Sequence, residues 1–368
     1  MLESLVLKNF KIFENQSFDL KPLTLLSGLN SSGKSTLLQS LLLLRQSYKQ
    51  DLLPKEGLAL NGDLVRIGTA KDALFEGAKE DSITFEITSA DHGKSSWIFE
   101  YDPNSDVLQL SPLFQDTIPQ DIYRSNLFTD KFYYLRAERM SPSPHFEISE
   151  FQVKQHKQLG SKGEIYSTIF ISIYEEEKII DSKLEHPQAI STSFKNQVEA
   201  WIGEISPGTR IIISSHPEMD LVSLQYSYGL SNPYRPTNTG FGITYILPIV
   251  VALLSSTTDT LILLENPEAH LHPKGQSKIG ELLALAASCG VQIIVETHSD
   301  HVLNGIRRAV KNKKINAQDV RIHYFQRYLK QGQAVSEVIS PILYQDGGID
   351  QWPDGFFDQV EKDLMELL

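Results

Sequence analysis

Only one cysteine, Cys289, occurs in the 368 residues, so no disulfide can close within the chain, as suits a reducing compartment. Long apolar runs are missing too. The longest, Thr244 to Leu254, is about half of what a membrane span needs. The opening Met1-Leu2-Glu3-Ser4 has neither a basic n-region nor a signal-like apolar core. These features predict a soluble, cytoplasmic protein with no membrane association. An excess of basic charge is also lacking. The net charge is −12, so nucleic acid would have to meet a local basic patch or one supplied by a partner. No heptads appear, which excludes a long inserted coiled coil.

What is present begins at residue 28. Gly28-Leu29-Asn30-Ser31-Ser32-Gly33-Lys34-Ser35 fits the phosphate-binding loop pattern at every constrained position. An apolar, strand-like run, Leu23-Thr24-Leu25-Leu26, precedes it, and a Leu-rich helical stretch from Thr36 to Tyr48 follows. Gly28 and Gly33 let the backbone curl so that successive N–H groups converge on phosphate oxygens. The positive end of the next helix adds to that attraction. The pattern places Lys34 on the β/γ-phosphates and the Ser35 hydroxyl on Mg²⁺, with Asn30, Ser31, Ser32 and Thr36 completing the loop.

Along the chain, short β-like pieces (5–7 and 17–20) flank Asn9-Phe10-Lys11, and residues 57–136 are mostly β, with clear alternation over 82–87. A strand at 132–135 leads to Arg136 and Arg139, two cations read as approaching phosphate or pairing with surface acids. The Ser141-Pro142-Ser143-Pro144 run breaks regular structure. A mixed region follows, with a helix near 191–202 and strands at 210–214 and 221–228. From 238 the pattern changes to helix 244–255, strand 260–264, helix 274–288, strand 291–295 and helix 300–311. Continuous apolar strands alternating with helices predict a parallel, doubly covered sheet. The acidic tail ends in an amphipathic helix.

The strand 260–264 runs into Glu265, as a Walker B carboxylate should, and Asn266-Pro267-Glu268-Ala269-His270-Leu271-His272-Pro273 follows at once. The next apolar strand ends in Glu296-Thr297-His298-Ser299-Asp300. This arrangement resembles the ABC-type ATPase heads of the SMC and RecF proteins and of the overcoming-lysogenization-defect (OLD) family. Their N-terminal strand ends in Asn-Phe-Lys, as Asn9-Phe10-Lys11 does. Their Walker B strand runs into a Pro-Glu-Ala-His-Leu-His-Pro-like D-loop, and their switch histidine lies in Thr-His-Ser. The chain is most similar to bacterial OLD-like AAA-family ATPases whose C-terminal part is a domain of unknown function. That likeness is carried by Gly240-Phe241-Gly242-Ile243-Thr244 and by Gly348-Ile349-Asp350-Gln351-Trp352-Pro353-Asp354-Gly355-Phe356-Phe357-Asp358.

The resemblance implies an α/β fold: an ABC-type P-loop NTPase head with a mixed N-terminal β lobe, a parallel-sheet core and a helical/β insertion lobe. Residues 1–140 would form the N-terminal part of the head, 141–237 the inserted lobe, 238–325 the C-terminal part with signature, Walker B and switch histidine, and 326–368 a family-specific segment. It also implies ATP and Mg²⁺ as cofactors, sandwiched in a head-to-tail homodimer or higher oligomer. Ser35 and Glu265 would hold Mg²⁺. Lys11 joins the nucleotide site, and Gly240, Gly242 and Thr244 would close on the nucleotide of a second subunit. Glu265, Asn266, Glu268 and His298 would serve turnover.

One departure bears on rate. Most such heads carry glutamate after the Walker B acid, but this chain has Asn266, whose amide can orient water and cannot take its proton. Glu268 is the nearest other carboxylate. A slow ATPase that regulates a separate effector such as a nuclease, in phage defence or DNA maintenance, is therefore the leading expectation. An ATP-gated binding module with negligible hydrolysis is the alternative. A DNA-end-processing ATPase is a third, with DNA an open candidate at Arg307, Arg308, Lys311, Lys313 and Lys314. OLD nucleases carry a Toprim catalytic domain after their ATPase; the about 70 residues that follow His298 hold no Asp-x-Asp pair, so the expectation is an ATPase without its own nuclease.

Overall fold

In the computed structural model the described residues are 1–53, 55–112, 118–139, 142–147, 168, 171, 174–175, 181–330 and 333–368. Ser141 of the expected chain break, and the stretch 148–167 of the expected inserted lobe, lie outside them. The chain forms two compact units, each gathered from separate segments. One holds Met1–Thr129, Arg321–Ile342 and Gln351–Leu368; the other holds Asp130–Val320 and Leu343–Asp350. These units follow compactness, whereas the four segments expected from sequence follow motifs along the chain. Among the described residues no helix is long and apolar enough to cross a membrane.

The first unit contains a four-stranded antiparallel sheet in the order Phe13–Asp19, Leu2–Phe10, Ser82–Ser89, Gly93–Glu100. Its register brings Leu5 opposite both Phe18 and Ile87, and Phe85 opposite both Leu7 and Trp97. All of these side chains are buried, and alternation along Ser82–Ser89 sets the inner face. Beside it, the almost wholly buried strand Leu23–Gly28 lies next to Val320–Lys330, which makes a hairpin with Gln333–Ile339. That hairpin was not legible in the sequence. Arg321 and His323 interrupt its apolar run, yet Arg321 pairs with the Asp19 carboxylate, and His323 is held at 2.8 Å by both Ser340 Oγ and the Asp19 carbonyl.

The helix Lys34–Lys49 buries Leu37, Leu38, Leu41, Leu42, Leu43 and Leu44, each contributing roughly 1.5–3 kcal/mol relative to exposure. Toward its end Arg45 donates to the carbonyls of Leu127 (2.6 Å) and Thr129 (2.9 Å). The tail helix Gln359–Leu367 forms as expected, with none of its residues buried.

In the second unit, Phe132–Leu135, Leu261–Glu265 and Gln292–Glu296 pair in parallel, with Leu261–Glu265 in the middle. Register places Glu265 opposite Glu296, so two carboxylates end neighbouring strands. The connecting helices are Pro273–Ser288 and Asp300–Lys311. They cross at Gly280 and Gly305, where added Cβ atoms would lie 2.2 Å from the Val302 carbonyl oxygen and 2.1 Å from that of Ser277. Only glycine permits that approach, and it fixes where the second helix starts. The helix Phe241–Ser255 begins directly after Gly240 and is buried nearly all round. The described part of the expected insertion is an antiparallel sheet, Thr209–His216, Leu221–Tyr228 and His145–Glu147, beside the helix Phe194–Gly203.

Candidate functional site

The first unit carries the phosphate loop. Strand Leu23–Gly28 feeds a tight turn, and the helix Lys34–Lys49 starts from Gly33 in the left-handed region (φ 113°). At this φ a side chain would be strained, and an added Cβ would also crowd Ile12 Cδ1 at 2.2 Å, so glycine suits this position. Ile12 belongs to the turn that follows Asn9-Phe10-Lys11, where Phe10 pairs with Phe13. The Asn-Phe-Lys segment is thus a hairpin turn that braces the phosphate loop. Lys11 itself donates to Gln39 Oε1 at 2.8 Å, on the loop's own helix, and burial pulls its ammonium below the usual lysine value.

Lys34 is buried, and its Nζ donates to the carbonyls of Gly28 (3.0 Å) and Leu29 (2.8 Å). Ser32 Oγ donates to Leu29 O at 2.6 Å, and the Thr36 N–H to Gly33 O at 3.0 Å. Asn30, Ser31 and Ser35 are exposed. Ser31 adopts φ 58°, and Arg327 reaches its carbonyl at 3.5 Å. The first turn of the helix contains no acid. A positive helix end, a lysine and an exposed hydroxyl therefore face one small loop, the chemistry a phosphate chain requires.

The second unit carries the other motifs. Glu265 Oε1 accepts from the Tyr134 hydroxyl at 2.8 Å, and Oε2 from the Ala137 N–H at 2.9 Å. Burial and the adjoining Glu265 carboxylate push the Tyr134 phenol far above its usual value, so it stays a donor. Arg139 is nearly buried. It donates to the carbonyls of Glu265 (2.5 Å) and Asn266 (3.2 Å) and lies 5.9 Å from the Tyr245 ring centroid. Arg139 thereby holds the backbone at the end of the strand Leu261–Glu265, a contact the sequence reading did not foresee. Asn266 takes the left-handed conformation (φ 45°), with its N–H on the Glu296 carbonyl at 2.8 Å.

Glu268 links the loop after Leu261–Glu265 to Thr297 and His298. Its Oε2 accepts from the Thr297 hydroxyl at 2.7 Å, and its Oε1 from the His298 N–H at 2.8 Å. The His298 side chain is exposed, and the next residue, Ser299, caps the helix Asp300–Lys311 by accepting from the Val302 N–H at 3.1 Å.

The Gly240–Thr244 segment starts a helix as expected. A Cβ on Gly242 would lie 2.8 Å from the His270 carbonyl oxygen, so signature and D-loop touch backbone to backbone. Thr244 is buried and turned inward. The exposed tip is Phe241, whose ring lies 5.5 Å from that of His270, while Tyr245 meets His270 edge-on at 4.7 Å. Sequence reasoning missed Tyr134, Phe241 and Arg327. Of these, only Phe241 lay within a motif already singled out.

Among solved structures, the chain is similar to an SMC head bound to the C-winged helix domain of ScpA, with 16% identity and a TM-score of 0.55 over 93% of this chain and 98% of that one. It is also similar to an SMC head domain with an extended coiled coil bound to the C-terminal domain of ScpA derived from Pyrococcus furiosus, with 14% identity and a TM-score of 0.53 over 100% and 99%. At these identities the likeness is one of fold, that of an ABC-type P-loop head. No curated protein matches the chain in sequence. A family described only as a protein of unknown function matches residues 315–367. The AAA domain family matches residues 23–304, a span that holds Gly28 to Ser35, the strand Leu261–Glu265 and His298. The chain is therefore an ATPase-type P-loop protein and belongs to the AAA domain family described as "putative AbiEii toxin, Type IV TA system".

Proposed function

We propose that this chain is an OLD-like, ATP-binding subunit that hydrolyses slowly, dimerises head-to-tail around the nucleotide and regulates a separate effector protein such as a nuclease. The observation that carries this reading is the double engagement of Glu268, whose two oxygens hold Thr297 and the His298 N–H. A carboxylate so committed joins the D-loop to the switch and acts as a positioning residue. With Asn266 beside Glu265, turnover then lacks the usual glutamate base, which supports a slow cycle.

The donor sets fit the nucleotide and its metal. Ser35 and Glu265 offer hard oxygen donors of the kind Mg²⁺ takes, and the Glu265 oxygens, each accepting one hydrogen bond, retain lone pairs for it. Mg²⁺ supplies neutralisation of phosphate charge when bound. Lys34, Gly33 and the loop N–H groups would hold the β/γ-phosphates, with Lys11 supporting them through the helix. His298 would contact the γ-phosphate, and Gly240, Phe241 and Gly242 would face the nucleotide of the second subunit.

The family's link to toxin–antitoxin systems supports action beside a partner, and placement in phage defence or DNA maintenance rests on that resemblance alone. The SMC heads of similar fold are each bound to a domain of ScpA, which supports docking of a partner protein on a head of this fold. The alternative, an ATP-gated module with negligible hydrolysis, is favoured by the same Glu268 contacts. Steady-state ATPase measurement with sedimentation separates the two. Turnover above background that is lost in Lys34→Ala, together with ATP-dependent dimers, is the expected outcome. ATP-dependent dimers without turnover would select the alternative, and failure of the wild type to bind ATP–Mg²⁺ would overturn both.

A further inference from the structure

The helix Asp300–Lys311 carries the switch at its start and a second, unassigned feature at its other end. There, a cavity of about 490 Å³ is lined by Asn304, Arg307, Arg308 and Lys311 together with Asp346, Gly347 and Gly348 of the turn that packs against the helix. We infer that this cavity is a binding site for a compact polyphosphate anion, carried free or on a nucleotide, separate from the phosphate loop.

The wall opposite the helix is firmly built. Gln345 Nε2 donates to the Val310 carbonyl at 2.6 Å, and its Oε1 accepts from the Ala317 N–H at 3.1 Å. The turn closes on itself through Tyr344 N–H to Gly348 O (2.8 Å) and Gly347 N–H to Tyr344 O (2.9 Å). Gly347 (φ 84°) lies so close to the helix that an added Cβ would be 3.0 Å from the Arg307 carbonyl oxygen.

Arg307 is held in place before any ligand arrives. Its Nε donates to the Gly347 carbonyl at 2.8 Å, and its Nη1 to Asn304 Oδ1 at 2.9 Å. A guanidinium fixed in this way loses little side-chain freedom on binding, and its planar fork suits phosphate oxygens. Lys311 stands one turn on, at i+4, on the same helix face, with Arg308 alongside.

The charge balance decides the sign of the ligand. Among the described residues that line the cavity, three are cations and one, Asp346, is a carboxylate whose Oδ1 already accepts from the Gly348 N–H at 2.8 Å. The helix C-terminus adds roughly half a negative charge, and Gln345 takes up one of its carbonyls. The remainder is clearly positive on a chain of net charge −12. Among the described residues no aromatic or large apolar side chain lines the cavity, so neither base stacking nor an apolar ligand is served. Its volume falls within the usual small-ligand range, which favours a short phosphate chain over a duplex.

The test is calorimetry on the full chain with inorganic tripolyphosphate, with the phosphate loop saturated by a slowly hydrolysed ATP analogue and Mg²⁺. One tripolyphosphate site per protomer is expected, weakened at least about tenfold in Arg308→Gln/Lys311→Gln and again by raising salt from about 20 to about 200 mM. The double variant should keep wild-type melting behaviour and analogue affinity. Arg307→Lys, which keeps the charge and loses the fork, should weaken tripolyphosphate binding several-fold. With ATP alone, two sites per protomer falling to one in the double variant would assign the anion to a nucleotide; one site would assign it to free polyphosphate. No tripolyphosphate binding by wild type, or equal binding by the double variant, would overturn the inference. So would a 20-base-pair duplex that binds more tightly than tripolyphosphate and is lost in the same variant.

Discussion

Glu268 holds the backbone N–H of His298 at 2.8 Å, so the loop after the strand Leu261–Glu265 and the segment before the helix Asp300–Lys311 are one hydrogen-bonded unit. The second oxygen, on Thr297, removes the freedom that Glu268 would need to pick up a water proton. A residue that acts through another leaves a particular kinetic trace.

Glu268→Gln, His298→Ala and the double variant should therefore lower turnover by similar factors, within about tenfold of one another, because the two residues are in contact. Analogue affinity should stay near wild type. A general base would behave differently. Its loss would cost about 10²-fold or more, and the double variant would then fall well below either single one. Single-turnover rates of the four proteins distinguish these outcomes.

Gly242→Ala tests the signature separately from the phosphate loop. The new methyl group would lie 2.8 Å from the His270 carbonyl oxygen, closer than a carbon can rest, so the D-loop or the helix start must shift. ATP binding to the single chain should persist, because the loop around Lys34 is built without Gly242. ATP-driven dimerisation should weaken, measured by sedimentation with a slowly hydrolysed analogue, and Gly242→Trp should abolish it. Dimers of wild-type stability in Gly242→Trp would show that this segment does not face a second subunit.

The parallel strands and both ends of the nucleotide motifs were legible because their signals are local. Leu261–Glu265 is a continuous apolar run ending in an acid, and Gly28 to Ser35 has its strand and helix immediately beside it. Contacts made across long separations left no such mark. Tyr134 reaches Glu265 from 131 residues away, and Arg139 reaches its carbonyl from 126. The strand Val320–Lys330 was missed because Arg321 and His323 look unsuited to a core until Asp19, about 300 residues earlier, supplies their partners. Thr244 was read as facing a ligand, and helical phase turns it inward instead, leaving Phe241 at the tip.

His323 makes stability fall in mild acid. Burial pulls its imidazole from the ordinary value near 6.5 down to about 4, with Nε2–H on the Asp19 carbonyl and Nδ1 on the Ser340 hydroxyl. Below pH 6.5 the unfolded chain takes up a proton that the folded chain refuses, so stability present above that value is lost as pH falls towards 4. At ~1.4 kcal/mol per pH unit the loss reaches about 3 kcal/mol. Urea titrations at pH 7, 5.5 and 4.5 should show it, and His323→Gln should flatten the decline over that interval even if it lowers stability at pH 7. An unchanged slope in the variant would place the acid sensitivity on other groups.

Tyr134→Phe isolates the support of the Walker B carboxylate. The substitution keeps the ring, and with it the strand packing, and removes one donor from Glu265 Oε1. Two effects then oppose each other. Glu265 gains basicity, which would strengthen a bond to Mg²⁺, and loses the contact that fixes its rotamer, which would weaken one. The Ala137 N–H still holds Oε2 at 2.9 Å, so part of the orientation survives. A hydrogen bond to a charged group is worth about 1.5–3 kcal/mol, more than the gain expected from slightly higher basicity. Orientation should therefore win, and the Mg²⁺ concentration for half-maximal ATP binding should rise about threefold to tenfold. Binding of ATP without metal, which relies on Lys34 and the loop, should not change. Titration of fluorescent ATP against Mg²⁺ measures both. A rise of equal size without metal would mean that Tyr134 supports the fold as a whole, whereas a fall in the Mg²⁺ requirement would mean that basicity dominates.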